Sequence, residues 1–130
     1  MRSFAALLIT LGFVGATATG APAQALDKKV LDDGGHLILL HRFDDTQVAS
    51  VNVGIGKART AAIYRRPSKV FEEQIRDGRV AALALADSTP LQGGVPIMLN
   101  GKVIGASGVS GDTPQVDEAI AIAGASAFGQ

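Results

Sequence analysis

The stretch Thr89-Pro-Leu-Gln-Gly-Gly-Val-Pro-Ile-Met-Leu-Asn-Gly-Lys-Val-Ile-Gly-Ala-Ser-Gly-Val-Ser-Gly111 decides the fold. Asn100-Gly101 supplies the two positive-φ residues of a tight turn, so Val95 to Leu99 is predicted to fold back on Lys102 to Val109 as an antiparallel hairpin. The segment Gly105 to Gly111 reads as a glycine-rich loop running into a helix. Thr113 is the predicted N-cap of that helix, Pro114 its first residue, and Asp117 and Glu118 lie near its positive end. Val116, Ile120, Ala123 and Ala127 form its core-facing stripe.

Upstream, Ser50 to Ala62 reads as a helix with Val51, Ile55, Ala58 and Ala62 on one face. Gly54 and Gly56 each cost such a helix roughly 1 kcal/mol relative to alanine. Either a close packing partner or a ligand explains them, or they mark a weak spot. Pro67 ends the segment, and Ser68 is the expected N-cap of a short helix, Lys69 to Asp77, that buries Phe71 and Ile75. The Ala/Leu-rich connector Arg79 to Asp87 fits helix or strand equally. Nearer the start, Val30-Leu31 is the remnant of a first strand, Asp32 to Gly35 a turn, and His36 to Arg42 the partner strand. This order defines an α+β fold in which helices cover an antiparallel sheet.

The 130 residues fit one small domain. Twelve basic residues balance twelve acidic ones, which argues against nucleic acid or an anionic membrane as partner. The absence of cysteine excludes disulfides, thiolate catalysis, cysteine-ligated zinc and covalent c-type haem attachment. Arg2, the apolar run Phe4 to Val14 and Ala23-Gln24-Ala25 follow the pattern of an export signal. Residues 1–25 are therefore expected to be a signal peptide and 26–130 the domain, located in the periplasm or secreted. No stable membrane insertion is expected after cleavage, because the apolar run is shorter than the roughly 20 residues of a spanning helix.

With Lys57-Ala-Arg-Thr-Ala-Ala62, Arg66-Pro-Ser68 and Asp33-Gly-Gly-His-Leu37 added to the hairpin, the chain resembles the GlcG/HbpS-like family of haem-binding and related small-ligand proteins over Val30 to Phe128. The resemblance implies a profilin-like or PAS-like domain, a homo-oligomer, and haem or a small anionic ligand as partner. It also exposes a departure: only Leu26 to Asp32 occupies the space of the family's first helix and strand. That departure implies impaired folding, oligomerisation over a bare face, or retention of residues 4–23 as a substitute helix.

No catalytic constellation stands out; Ser107 and Ser110 have no His-Asp arrangement nearby in sequence. His36 is the first candidate ligand for haem iron or another metal, although a lone strand histidine is also often structural. His41, among Leu37 and Leu39, reads as packing. Tyr64, Arg65 and Arg66 form an aromatic-basic cluster suited to carboxylates such as haem propionates, or simply to a helix C-terminus. Lys57 and Arg59 either serve an anionic ligand or decorate the exposed side of their helix. The glycine-rich segment lacks the ending of a phosphate-binding loop, and packing around the hairpin is the better explanation. Asp32-Asp33 and Asp44-Asp45 read as turns rather than a cation site. The leading functional expectation is an exported haem-binding protein. The alternatives are an accessory protein or enzyme of small 2-hydroxy-acid metabolism, and a structural or sensory oligomer without ligand.

Overall fold

The computed structural model describes residues 27–128; the expected signal peptide, residues 1–25, lies outside them. Four strands form one antiparallel sheet: β1 (Asp27–Asp32), β2 (Leu37–His41), β3 (Gly94–Leu99) and β4 (Lys102–Ser110), in the order β2-β1-β4-β3. Among the described residues three α-helices accompany the sheet: α1 (Ser50–Tyr64), α2 (Lys69–Arg76) and α3 (Pro114–Ser126). The ambiguous connector forms a short 3-10 helix, Val80–Ala84.

The expected remnant strand is a complete central one. β1 pairs with β2 on one side and along its whole length with β4 on the other, from Asp27 opposite Ser110 to Asp32 opposite Gly105. The Asn100-Gly101 turn has both residues at positive φ, 50° and 75°, and joins β3 to β4. The glycine-rich segment is not a loop: the strand continues through it to Ser110.

Strand alternation explains the layering. Leu31 and Ala106 pack against Ala58, Ala61 and Ala62 of α1, whereas Val95 and Val109 pack against Ile120 and Ala121 of α3. Val30, next to Leu31, belongs to the α3 side with Ile97. The two helices therefore cover opposite faces of the sheet.

The small residues set how closely α1 approaches. A β-carbon on Gly108 would stand 2.4 Å from the Gly54 carbonyl oxygen and 2.7 Å from Ala58 Cβ. One on Gly94 would stand 2.1 Å from the Lys57 carbonyl, and one on Gly56 would stand 2.1 Å from Thr89 Oγ1. Close packing thus accounts for glycines within a helix, and the Lys57 to Ala62 segment is largely a packing face: Lys57, Ala58, Thr60, Ala61 and Ala62 are all buried.

On α3, Thr113 Oγ1 accepts from Val116 N as an N-cap, as expected. The buried set is Asp117, Glu118, Ile120, Ala121 and Gly124 rather than the expected apolar stripe, because the two acids find partners inside the protein. Ser68 does not cap α2 with its side chain. Its hydroxyl donates to Leu91 O at 2.6 Å and accepts from Gly94 N at 2.9 Å, fixing the start of α2 against the start of β3.

Candidate binding cleft

Where α3 passes the edge strand β3, the two do not close completely. A cleft of about 430 Å³ opens between them, lined by Val95, Pro96 and Met98 of β3, Ile122, Ala125 and Ser126 of α3, and Pro67, Lys69 and Glu118 at its rim. Its volume lies in the range of small-molecule sites, and its walls are mainly apolar. The tie between Ser68 and β3 brings Lys69 to this rim. Lys69 Nζ donates to Glu118 Oε2 at 3.3 Å, and Gln92 Nε2 donates to the same oxygen at 2.7 Å. Glu118 is nearly buried, whereas the Lys69 side chain keeps 39% of its surface. An apolar slot with one accessible cation suits a flat hydrophobic molecule bearing a carboxylate.

The residues singled out in the sequence are not assembled here. Lys57 requires correction as a ligand-facing or surface cation. It is buried, and its ammonium donates to Val109 O at 3.0 Å and to Asp117 Oδ2 at 2.9 Å. Burial pushes the Asp117 carboxyl up from its ordinary value; Lys57 and the Asp112 amide, which donates to Oδ1 at 3.1 Å, oppose that shift. Gly93 lies against this pair, and a β-carbon there would stand 2.9 Å from Lys57 Nζ.

His36 stands at the exposed end of the β1–β2 turn, its Nδ1 3.2 Å from both carboxylate oxygens of Asp32. The His36 amide is the main cause holding the Asp32 carboxyl below its usual value. His36 precedes β2 at one edge of the sheet, and the cleft adjoins β3 at the other. Three strand spacings, roughly 14 Å, separate those edges. The His41 ring lies 4.4 Å from that of Phe43, in keeping with a packing role.

Tyr64, Arg65 and Arg66 form a corner beside the cleft. The Tyr64 hydroxyl donates to Ala86 O at 2.7 Å, and its ring meets Phe71 edge-on at 5.2 Å. The Arg66 guanidinium lies 5.9 Å from the Phe71 centroid, and Arg65, at φ 56°, terminates α1. Only through Pro67 does this corner adjoin the rim. Arg59, in contrast, donates from Nε to Gly35 O at 3.1 Å and clamps the β1–β2 turn onto α1. Lys69, Met98, Glu118 and Ile122 are cleft residues that the sequence did not single out; an amphipathic short helix placed after Arg66-Pro-Ser68 was the available signal for Lys69. Among the described residues, no group of three or more acidic or histidine side chains could hold a metal ion, and no helix is long and apolar enough to cross a membrane.

This chain belongs to the HbpS-like family: the family described as haem degrading protein HbpS-like matches residues 10–126. Protein GlcG of Escherichia coli K12 is 47% identical over 81 residues, which cover 62% of this chain and 60% of GlcG. The match therefore spans less than two thirds of that relative. The crystal structure of Klebsiella pneumoniae protein ORFY superposes with a TM-score of 0.86 at 26% identity, covering 98% of this chain and 89% of that one. The PduOC:heme complex superposes with a TM-score of 0.83 at 19% identity, covering 100% and 98% respectively, and at that identity supports the fold alone.

Proposed function

We propose that this protein binds haem, and that the cleft between β3 and α3 is the site. The observation that carries this reading is the apolar slot with Lys69 at its rim, in a chain whose family is described as haem degrading. Val95, Pro96, Met98, Ile122 and Ala125 suit the porphyrin faces, and Lys69 suits a propionate. Bound haem supplies a redox-active iron; the residues lining the cleft hold and orient the ring and exclude water from it. The small-acid reading has less support, because Lys57, a cation it would use, is already neutralised by Asp117.

The test is titration of the full chain with haemin, followed at the Soret band. A saturable shift at fixed stoichiometry is expected, weakened at least tenfold by Ile122→Glu, which places a charge in the slot, and unchanged in His36→Ala. Loss of binding in His36→Ala with no effect of Ile122→Glu would move the site to the β1–β2 turn.

We further propose export, on the strength of the signal pattern in residues 1–25. The family match begins at residue 10 and gives residues 10–25 a competing assignment within the domain. Intact mass of the protein recovered from a bacterial periplasm decides: a chain beginning at Leu26 is expected, and a full-length cytoplasmic product would overturn export.

A further inference from the structure

We infer that the cleft recognises the porphyrin ring and its carboxylates without an iron ligand, so that metal-free protoporphyrin IX binds as well as haemin. This rests on the haem reading above and specifies the chemistry of that site.

The inference follows from the donors available. The sequence contains two histidines, His36 and His41, and no cysteine. Neither histidine lines the cleft: His36 lies in the β1–β2 turn, paired with Asp32, and His41 packs on Phe43. The phenol of Tyr64 is outside the cleft and donates to Ala86 O.

Among the described residues, the side-chain donor atoms that line the cleft belong to Lys69, Met98, Glu118 and Ser126. A protonated ammonium has no lone pair to give. The Glu118 side chain is 9% exposed, and its Oε2 accepts from Gln92 Nε2 at 2.7 Å, a bond that holds the carboxylate at the rim whether or not Lys69 turns away. A neutral hydroxyl is a poor ligand, and a thioether serves haem iron opposite a histidine, which no described cleft residue supplies. Affinity must then come from apolar area buried against Val95, Pro96, Met98, Ile122 and Ala125, and from a charge-assisted contact to Lys69. Lys69 is free to make that contact: its bond to Glu118 is long at 3.3 Å, and its side chain is partly exposed. Glu118 keeps Gln92 as a donor if Lys69 turns away.

The experiment compares three probes on the full chain: haemin, protoporphyrin IX and protoporphyrin IX dimethyl ester, each titrated by absorbance or fluorescence. Haemin and the metal-free acid are expected to bind within about threefold of each other. The ester, which lacks the anionic carboxylates, is expected to bind about tenfold more weakly, a difference of 1.4 kcal/mol. Lys69→Met is expected to bring acid and ester to the same affinity. Haemin binding more than about tenfold tighter than the metal-free acid would overturn the inference while leaving haem binding intact. Removal of that excess by Met98→Leu would then identify the thioether as ligand, and removal by His36→Ala would identify an imidazole from a second copy of the chain. Equal binding of acid and ester in the unaltered protein would overturn the role of Lys69. Failure of all three probes to bind would overturn the haem reading itself.

Discussion

Lys57 on α1 and Asp117 on α3 meet at 2.9 Å as a buried ion pair that joins helices on opposite faces of the sheet. The contact is made beside Gly93, at the ends of β3 and β4, where the absence of a side chain leaves room for the ammonium. Breaking a buried pair by removing one partner leaves an uncompensated charge and costs about 3–5 kcal/mol. Lys57→Met is therefore expected to lower unfolding free energy by about that amount in denaturant titration. The double variant Lys57→Met/Asp117→Leu is expected to recover much of the loss, since neither charge then remains.

The cost of Lys57→Met depends on pH. Burial raises the folded-state value for Asp117, and removing Lys57 takes away the largest opposing influence. For an acid raised on folding, the stabilising contribution is present below the unfolded-state value and is lost as pH rises through the folded-state value. The variant is expected to lose stability relative to the unaltered protein as pH rises above the ordinary aspartate value, as measured by denaturant midpoints across a pH series. A deficit that grows toward acid would contradict this assignment.

Asp32 behaves in the opposite sense, its carboxyl being held low chiefly by the His36 backbone amide. Stability from this contact is present above the ordinary aspartate value and is lost as pH falls through the lowered one. Because the amide survives truncation of the side chain, His36→Ala is expected to retain part of the depression. Carbon-detected NMR titration of the Asp32 carboxyl measures it directly.

Gly108→Ala places a methyl group against the Gly54 carbonyl and Ala58. Backbone on both sides must yield, and overpacking of this kind costs about 1–3 kcal/mol. Thermal unfolding should show a lowered midpoint. The expected exception is a variant carrying the same change at Gly34, whose nearest atoms belong to the mobile side-chain ends of His36 and Asp32 and can shift aside at smaller cost.

Association is expected through the β2 edge. Leu37, Ile38 and Leu40 are exposed there, and the strand has a neighbour on one side only among the described residues. Unpaired apolar edges favour pairing between chains. Leu40→Lys is expected to lower the oligomeric mass seen by light scattering without unfolding the domain.

The hairpin was legible in sequence because Asn100-Gly101 admits few other conformations, and the cap at Thr113 because Thr-Pro before an apolar run is specific to a helix start. The burial of Lys57 was not legible. Its position on the helix was readable, but its partners lie 52 and 60 residues away and reach it only after both helices have docked. The same holds for the cleft. Val95 and Ile122 come together because α3 returns across β3, a relation that periodicity within either element does not contain. The role of the glycines fell between these cases: the sequence marked them as anomalous, and the sheet supplied the reason.

The position of β1 gives one short strand an unusual burden. Those six residues hold β2 to the hairpin formed more than sixty residues later, so the sheet is a single unit only while they are in place. A cut within β1 would open the seam between two halves, and a polypeptide emerging start-first would have to keep this strand unpaired on one side until β4 had followed.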